Sequence, residues 1–460
     1  MRLWSKNMIY DSESGDFNLV VTGDSMVSRK LTPFTEKNYL AIRDICRGAD
    51  ATFTNLESTV REPDEGIHDM SVGTMMTTPP HLLEDLKWLG VNMVSTANNH
   101  ATDFGHEGLM ATLKHVDSAG LVRSGSGRNM AEARRPGYLD TRAGRVALIS
   151  ANAFFSPWHR ASDQGPEMRG RPGVNVIGWN SSYTVDAKSF EQLSVMSTQL
   201  GFNHEQRRRA KNFFSAAEAG LSTNTEIDFL GKKFKVGNGF HVENKTIKAD
   251  VAGNLKWVSE AKRQADWVVY SFHCHSFSER NSDKAESNAQ MEELADYARE
   301  FGKQVIDAGA DVFVVHGPHI SLGVEIYKGK PMFYSLGNFI FQNDTVQVFP
   351  AESYARFGLA PDATPADFLE ARTNNETKGF PAAPEFWHSI MAVCRFKSHK
   401  LAAVEILPLD LGYRLNRAQR GRPIIAEGAR ADEILTRTQR LSSFYDTKIV
   451  NKNGVGQITL

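Results

Sequence analysis

The sequence predicts an α/β fold in which helices cover a sheet, and three observations predict it. Short apolar runs alternate with amphipathic helical stretches along most of the 460 residues. The composition is that of a globular protein, with 41% hydrophobic and 23% charged residues, which excludes a disordered chain. A polar side chain also follows nearly every apolar run, as at the ligand-binding edge of an open α/β sheet.

In the first half of the chain, four apolar runs bounded by polar residues predict strands. These runs are Phe17–Thr22, Ala51–Thr54, Val91–Ser95 and Arg145–Ser150. A helix is predicted over Pro79–Leu89, because proline suits a first helical turn and leucines recur at intervals of three or four residues. Gly108–Ala119 is the second predicted helix of this half.

The alternation resumes in the second half of the chain. Helices are predicted over Asn254–Ala265 and Glu286–Ala308. The predicted strands are Trp267–Phe272, Asp311–Val315 and Met332–Leu336. The runs Ala392–Phe396 and Ala402–Leu407 flank a short Ser-His-Lys turn, which predicts an antiparallel hairpin.

Two long segments, at about 180–250 and 344–388, interrupt this alternation. The first is polar and contains a cluster of three arginines at 207–209, and the second is rich in proline, alanine and aromatic residues. Non-periodic segments of this length in an enzyme are typically lids or binding loops. Peripheral decoration or a contact between subunits explains them equally well, so the sequence leaves open whether the chain forms a homo-oligomer.

The charge balance and the cysteine content exclude several classes of protein. The chain has 53 Lys and Arg against 54 Asp and Glu, and a net charge of −1 argues against a dedicated nucleic-acid-binding protein. Three cysteines are too few for a disulfide framework. No apolar stretch approaches the ~18 residues of a membrane-spanning helix, and the N-terminus lacks the apolar segment of a signal peptide. We therefore expect a cytoplasmic protein without a membrane anchor.

The polar residues that follow the strands are acids, amides and histidines. In chain order they are Asp24, Asn55, Glu57, Asn98, Asn99, His100, Asn152, His273, His275, His316, His319 and Asn338. A single asparagine after a strand is ordinarily a turn residue, and a lone histidine near a core is ordinarily a structural residue. Seven such strand ends in one chain predict a common site.

This mixture of carboxylate, amide and imidazole groups indicates divalent first-row metals, and thiolate is largely missing. Cys274 would point away from its two histidine neighbours if the stretch is extended. A bridging carboxylate with such ligands can hold two metals, and a hydroxide between them attacks a phosphorus or a carbonyl carbon. In an Asn-His pair, the amide oxygen can ligate a metal while the histidine protonates a leaving group.

In this order the motifs resemble those of the CapA family, the capsule (poly-γ-glutamate) biosynthesis proteins with a calcineurin-like metallophosphoesterase fold. The matching stretches are TGDSM at 22–26, TNLES at 54–58, ANNHATDFG at 97–105, GRPGVN at 170–175, HGPHI at 316–320 and YSLGNF at 334–339. The resemblance implies a layered α/β/β/α sandwich. It also implies one metallohydrolase domain over residues 1–430, interrupted by the two insertions and followed by a C-terminal extension at 431–460.

The resemblance further implies a site for two divalent transition metals, such as Mn, Zn or Fe. Its ligands would be Asp24, Asn55, Glu57, Asn99, His273, His316 and His319, with Glu57 as the bridge. His100 matches the catalytic histidine of the family's Asn-His pair. Where the family usually reads His-Trp-Gly, this chain has His-Cys-His-Ser at 273–276. That departure leaves open whether His275 adds a ligand, donates a proton in catalysis or only fills space.

Several residues are candidates for contact with a small-molecule substrate. Arg160, Arg169 and Arg171 lie near the GRPG motif, and arginine binds carboxylates through two parallel hydrogen bonds. Taken singly, each of these arginines is more often a surface or structural residue. The strand-end amides Asn98, Asn152 and Asn338 complete the set of candidates.

Two classes of function remain open at this stage. The first is a binuclear metal-dependent hydrolase, either of an amide bond in a γ-glutamyl-like, carboxylate-bearing small molecule or of a phosphoester. The arginines and the poly-γ-glutamate association favour the amide, although the same chemistry serves both bonds. The second class is a non-catalytic protein of capsule or poly-γ-glutamate assembly. The expected absence of an anchor and the full set of candidate ligands argue against it.

Overall fold

The computed structural model describes residues 15–69, 74–212, 222–278 and 291–460. The strands are β1 (Phe17–Met26), β2 (Ala51–Leu56), β3 (Thr59–Val60), β4 (Thr77–Thr78), β5 (Met93–Ser95), β6 (Val122–Ser124), β7 (Ser126–Gly127), β8 (Gly137–Thr141), β9 (Gly144–Asn152), β10 (Gly173–Val174), β11 (Trp179–Val185), β12 (Glu226–Phe229), β13 (Lys232–Val236), β14 (His241–Thr246), β15 (Trp267–His273), β16 (Val312–His316), β17 (Val324–Tyr327), β18 (Lys330–Phe333), β19 (Asn338–Phe341), β20 (His388–Lys397), β21 (Lys400–Asp410), β22 (Ile424–Ile425), β23 (Ile449–Lys452) and β24 (Val455–Ile458). The helices are α1 (Lys37–Gly48), α2 (Leu83–Leu89), α3 (Gly105–Ser118), α4 (Met130–Arg134), α5 (Ala187–Gln199), α6 (Phe202–Asn212), α7 (Lys248–Gln264), α8 (Asp296–Asp307), α9 (Ala351–Arg356), α10 (Pro365–Thr373) and α11 (Gly428–Ser443).

Two large sheets form the main compact unit, which consists of the described residues outside Gly178–Val251. The larger sheet has the order β23-β24-β21-β20-β1-β2-β5-β6, with β19 also paired to β1 and β22 to β21. Its strands β1, β2, β5 and β6 are parallel neighbours, whereas β20 and β21 are antiparallel. The smaller sheet has the order β17-β18-β16-β15-β9-β8 and is parallel from β18 to β9.

The apolar faces of the two sheets meet in one core. Leu19 and Phe53 of the larger sheet are fully buried in the same cluster as Leu148, Val269 and Val314 of the smaller sheet. Each of these side chains comes from the middle of a strand, where every second residue points to the same face. The two sheets are therefore packed face to face.

Helices cover the outer faces of both sheets. On the larger sheet, Ile42 of α1 and Leu86 of α2 pack in a cluster with Val20 of β1. On the smaller sheet, Phe301 of α8 packs edge-on against Tyr270 of β15, with ring centroids 5.5 Å apart. The layered α/β/β/α sandwich predicted from the sequence is confirmed.

Most of the predicted elements are present within one to a few residues of their predicted bounds. The predicted helix over Pro79–Leu89 begins with a 3₁₀ turn at Pro80–Leu82 before α2. The predicted hairpin is formed by β20 and β21, with Lys397 paired to Lys400 across a two-residue turn. None of the helices within the described ranges combines the length and the apolar character needed to cross a bilayer.

The predicted helix over Glu286–Ala308 is shorter at its start. Residues 286–290 lie outside the described residues, and α8 begins only at Asp296. Before it, Leu294 forms a β-bridge with Phe277, and the backbone N–H of Ala295 donates to the carbonyl oxygen of Ser276. Tertiary pairing of this stretch has therefore replaced the helical conformation that its periodicity favours.

Residues Gly178–Val251 form a second compact unit with its own sheet, in the order β12-β13-β11-β14. Val185, Phe190 and Ile227 make its small core, and α5 supplies Phe190. The insertion predicted at about 180–250 falls within these bounds. The backbone N–H of Ile247 donates to the carbonyl oxygen of Gly178, so the two ends of the unit lie side by side.

The last part of the chain belongs to the sandwich. The boundary predicted at residue 430 falls inside α11, and β24 pairs with β21 in the larger sheet. Ile434 and Leu435 of α11 are buried in the core cluster that both sheets share. The structure therefore places residues 431–460 within the main unit rather than in an extension, because an apolar helix face covers apolar strands there.

Candidate metal centre

The strand-end residues lie where parallel strands of the two sheets end. Asp24 is near the end of β1, and Glu57 follows β2 directly. His273 and His316 are the last residues of β15 and β16. Because β1 runs parallel to β2 and β15 to β16, their carboxyl ends lie at the same edge of each sheet. Side chains from these edges approach one another closely enough to form one site.

A fork in β1 shapes the backbone beside Asp24. β1 pairs with β20 over residues Phe17–Val21 but with β19 from Asp24 onwards, and its register with β2 shifts just before Asp24. The backbone N–H of Asp24 donates to the carbonyl oxygen of Gly337 at 3.0 Å. Gly23 has to be glycine, because a Cβ there would lie 1.9 Å from that carbonyl oxygen. The close approach of the two backbones fixes the direction of the Asp24 side chain.

Asp24 is a fully buried carboxylate held by two donors. Its Oδ1 accepts from Asn55 Nδ2 at 2.8 Å, and its Oδ2 accepts from the backbone N–H of Gly317 at 3.1 Å. Burial alone would raise the pKa of Asp24, but the hydrogen bond with His319 and the positive charges of nearby imidazoles hold it well below its usual range. Asp24 is therefore ionised in the folded protein at neutral pH.

Glu57 is the second buried carboxylate, and its two oxygens lack the hydrogen bonds that Asp24 receives. Neither Oε1 nor Oε2 receives a hydrogen bond from the part of the chain that the structure describes. Burial and the negative charge of Asp24 raise the pKa of Glu57 well above its usual range. A buried carboxylate without donors is costly, and a bound cation is the usual way in which proteins offset that cost.

Three histidines surround Glu57. His319 lies with Nδ1 3.5 Å from Asp24 Oδ2 and Nε2 3.7 Å from Glu57 Oε1. His273 Nε2 is 3.7 Å from the same Glu57 oxygen and 2.9 Å from His275 Nε2. Burial, followed by the charge of His275, lowers the pKa of His273 well below its usual range. Burial, followed by the charge of His319, lowers the pKa of His275 to about 3. Both rings are therefore neutral at pH 7, the form that binds metals.

These residues form two groups, each able to hold a metal ion. One group consists of Asp24, Glu57 and His273, and the other of Glu57, His275 and His319. Within each group the potential ligand atoms all lie within 4.8 Å of one another. Glu57 belongs to both groups, which is the position of a carboxylate that bridges two metals. The donor set of carboxylate oxygens and imidazole nitrogens suits Mn, Fe or Zn.

Two further residues predicted as ligands, His316 and Asn55, lie outside these two groups and contact neighbouring protein groups in this structure. The ring nitrogens of His316 lie 3.0 Å from the Thr22 carbonyl oxygen and 3.3 Å from Ser271 Oγ. Asn55 donates to Asp24, and its amide oxygen accepts from Asn98 Nδ2 at 3.2 Å. Both side chains are positioned directly behind the two groups.

The predicted substrate residue Asn338 also contacts the centre from behind. Its Oδ1 lies 3.0 Å from His319 Nδ1, and its Nδ2 donates to the carbonyl oxygens of His319 and Phe386. Asn338 thereby orients His319, as outer-shell partners do for metal-binding histidines. Cys274 points away from the centre, as the strand alternation predicts, and its Sγ lies 3.3 Å from Tyr297 Oη.

His100 is placed by a carboxylate three residues along the chain. Its Nδ1 lies 2.7 Å from Asp103 Oδ2, and the same oxygen accepts from the backbone N–H of Met76 at 2.7 Å. Asp103 is buried, so its side chain is fixed by both contacts. Because Nδ1 is occupied, Nε2 of His100 is the nitrogen available to a substrate.

A cavity of about 350 Å³ connects the histidines with a second wall. His100, His275 and His319 line one part of it, and so does Asn99, whose buried Oδ1 has no hydrogen-bond partner among the described residues. An unsatisfied amide oxygen beside Glu57's groups is a further potential metal ligand. The apolar part of the lining includes Met26, Met76, Phe277, Met291, Phe380 and Phe386.

The second wall comes from the segment 344–388. No residue of this segment is among the site residues predicted from the sequence. Arg372 of α10 lines the cavity together with Phe380 and Phe386. The segment has no strand end and no recognisable motif, so only its atypical composition marked it as a possible binding loop. The lining residues that the structure describes all lie outside Gly178–Val251.

The remaining predicted substrate residues are not among those that line the cavity. Asn152 closes a local turn with the backbone of Phe154. Arg169 is exposed. Arg171 donates to the carbonyl oxygen of Arg160 at 3.1 Å, which holds their shared loop together. The GRPG motif therefore orders a loop in this structure, and the carboxylate site expected at its arginines remains a prediction.

Comparison with known proteins connects this centre to one family. The family model for "Bacterial capsule synthesis protein PGA_cap" matches residues 18–343, which include every residue of the two ligand groups. Two proteins of Sinorhizobium fredii, the uncharacterized proteins y4sH and y4uA, are each 32% identical over 96% of this chain and 93% of their own length.

More distant relatives carry descriptive names. The PGA biosynthesis protein CapA of Bacillus subtilis is 23% identical over 69% of this chain and 62% of its own length. A probable polyglutamine synthesis accessory protein of Mycobacterium tuberculosis is 23% identical over 63% of this chain and 55% of its own length. The similarity to these two proteins covers less than two thirds of either one.

Proposed function

The chain belongs to the bacterial capsule synthesis family PGA_cap, and from this membership we propose that it is a metal-dependent hydrolase of an amide bond. Its substrate would be a γ-glutamyl-like small molecule that carries a carboxylate. The observation that carries the proposal is the arrangement around Glu57, a buried carboxylate whose two oxygens have no donors in the described residues and which belongs to both ligand groups.

The residues of the two groups fit a pair of divalent metals. Asp24 and His273 with Glu57 would hold one ion, and His275 and His319 with Glu57 the other. Divalent metals at such a site lower the pKa of water to near neutrality and polarise the bond to be cleaved. For such ions the protein provides the ionised Asp24 and the neutral imidazole of His273, and Glu57, whose pKa is raised, would give up its proton on binding them.

His100 supplies the proton for the leaving amine in this proposal. It lines the cavity next to Asn99, and Asp103 occupies its Nδ1. That contact holds the ring in one orientation, which is what an acidic partner does for a catalytic histidine. The proton would leave from Nε2, because that is the nitrogen Asp103 does not occupy.

The names of two relatives support an amide rather than a phosphoester. Poly-γ-glutamate, named for the Bacillus subtilis protein as PGA, and polyglutamine, named for the Mycobacterium tuberculosis protein, are both polymers joined by amide bonds. The fold alone would suit either bond, since related two-metal chemistry serves both.

The proposal can be tested on the purified protein by metal analysis and two chromogenic substrates. We expect about two equivalents of a transition metal, and hydrolysis of γ-glutamyl-p-nitroanilide by the Mn-loaded protein that a chelator abolishes. Glu57→Ala should lower the metal content by about one equivalent, because the shared ligand of both groups is lost. The exposed Glu62 provides the matched control, and Glu62→Ala should keep both equivalents.

Each contrary result has a distinct meaning. Hydrolysis of bis(p-nitrophenyl) phosphate without hydrolysis of the anilide would keep the metal-dependent hydrolase and reject the amide bond. Two bound metals without turnover of either substrate would favour a non-catalytic role in polymer assembly. Full metal content in Glu57→Ala would show that Glu57 is not the bridging ligand.

A further inference from the structure

We propose that Arg372, on helix α10 of the segment 344–388, binds a carboxylate of the substrate inside the cavity. The inference rests on the proposed function for the presence of a substrate there. It adds a binding residue from a part of the chain that contributes nothing to the two ligand groups, and it names the chemical group that this residue recognises.

Arg372 is a half-buried cation without an ion-pair partner in the described residues. Its side chain lines the cavity, and its Nη1 donates to Thr74 Oγ1. Asp344 is the carboxylate whose charge acts on it, but that carboxylate accepts from Arg420 Nε at 2.6 Å. Burial is the largest cause that lowers the pKa of Arg372, and the charge of Asp344 offsets it in part.

The other lining residues that the structure describes offer no second permanent positive charge. They are apolar, neutral polar, or histidines of the metal centre and its neighbour His100. Among the described residues, an anion entering the cavity therefore finds one guanidinium, in a lining that also includes the rings of Phe380 and Phe386. Such apolar surroundings strengthen a charged hydrogen bond, because they limit competition from water.

The helix that carries Arg372 is fixed at both ends. Thr364 and Asp367 form a capping box at its start, and Phe368 and Leu369 are buried beneath it. Just beyond its end, Glu376 accepts from Arg420 Nη2 at 2.8 Å. A guanidinium on a fixed helix loses little freedom on binding, which favours recognition of a planar group.

A carboxylate fits this arrangement better than a phosphate that is itself the reacting group. The reacting group has to reach the metal centre, so an anion bound by Arg372 must be a separate part of the substrate. A γ-glutamyl amide has such a part, since its α-carboxylate carbon is four carbon–carbon bonds removed from the carbonyl carbon that is cleaved. The planar guanidinium can donate two parallel hydrogen bonds to that carboxylate.

The test measures binding directly, by calorimetry of the metal-loaded protein with glutarate and with inorganic phosphate. In Arg372→Met the dissociation constant for glutarate should rise about 10- to 100-fold, the usual effect of losing a charged hydrogen bond. Arg372→Lys keeps the charge but not the planar fork and should give a smaller rise. A phosphate would bind at the metal centre and not at Arg372, so its dissociation constant should change less than threefold in both variants.

The control is Arg263→Met, which removes an exposed arginine from α7 and should bind both probes like the parent protein. Unchanged glutarate binding in Arg372→Met would overturn the inference, and so would an equal loss for phosphate, since the site would then take any anion. If Arg372→Met does not fold, the same criteria apply to Arg372→Lys.

Failure of the inference and failure of the proposed function give different results. Glutarate binding that depends on Arg372, in a protein that hydrolyses no amide, would reject the hydrolase and keep the carboxylate site. Hydrolysis of the anilide with a KM that is the same in the parent and in Arg372→Met would reject the carboxylate site and keep the hydrolase.

Discussion

His100 and Asp103 are two side chains whose separate effects can be measured. The carboxylate of Asp103 contacts His100 Nδ1 and the backbone N–H of Met76, so its role is to position the ring of His100. Neither residue belongs to the two ligand groups. Substitutions here should therefore separate proton transfer from metal binding.

We predict that His100→Ala retains both metals and loses turnover on the order of 10²–10⁴-fold, the usual contribution of a general acid. Asp103→Asn should lower kcat by a smaller factor and leave the metal content unchanged. The exposed His106 is the matched control, and His106→Ala should show parent activity. Metal analysis alongside single-substrate kinetics distinguishes the cases, since an equal loss of metal and activity in His100→Ala would make His100 a ligand.

At this scale the sequence predicts residues that follow strands much better than residues on loops. Asp24, Glu57 and His319 come together because the carboxyl ends of parallel strands meet at one edge. Arg171 lies in a loop whose path depends on its own hydrogen bonds, which no strand pattern encodes. Arg372 has no periodic or motif signal, and only the packing of α10 brings it to the cavity.

Removing the inserted unit Gly178–Val251 tests whether metal binding and turnover need it. It has its own core around Phe190, and none of its described residues belongs to either ligand group or to the lining of the cavity. Its first and last residues are adjacent, because the backbone N–H of Gly178 donates to Asp250 Oδ2 at 3.0 Å. A linker of a few residues can therefore join Ile177 to Ala252.

We predict that replacing Gly178–Val251 with a short Gly-Ser linker preserves both bound metals and changes kcat for a small activated substrate by less than about threefold, well under 1.4 kcal/mol. The comparison variant is Arg372→Met, which should instead raise KM for a carboxylate-bearing substrate. Metal analysis and kinetics on both proteins check this. Loss of metal from the shortened chain would show that the unit is required for the core.

Elements with a local signal are predicted more accurately than elements decided by tertiary contacts. The hairpin of β20 and β21 is encoded by alternation around a short turn, and Ser398 and His399 adopt the left-handed conformation that such turns require. The start of α8 depends instead on a tertiary contact, because the backbone N–H of Ala295 donates to the carbonyl oxygen of Ser276. The helical periodicity before Asp296 carries no information about that partner.

For the whole molecule, the buried imidazoles couple stability to pH. Burial is the first cause that lowers the pKa of His273, His275 and His316. Below their ordinary value of 6.5, these histidines bind protons in the unfolded chain but not in the folded one, so the free energy of unfolding falls as pH falls. Glu57 acts in the opposite sense, because its raised pKa destabilises the fold as pH rises above 4.5.

Three imidazoles outweigh one carboxyl, so we predict that the metal-free protein loses stability between pH 7 and pH 5. His275 has a pKa of about 3 and alone contributes up to about 1 kcal/mol per pH unit in this range. Thermal unfolding after chelation should show a Tm that decreases from pH 7 to pH 5. The decrease should be smaller in His275→Gln than in the parent protein. The exposed His81 is the control, and His81→Gln should follow the parent protein. A Tm that is constant or rises toward pH 5 would contradict the prediction.

The fork in β1 has a consequence for how the chain is made. β1 lies inside the larger sheet only because β20, from near the other end of the chain, pairs with Phe17–Val21. While the ribosome is still adding residues before His388, β1 has an open and apolar edge, which is the kind of surface that draws nascent chains into aggregates. Sheets closed by such distant pairings also form slowly. The motifs that supply the proposed metal ligands are thus synthesised early, but the sheet that positions them is completed only after β20 has been made.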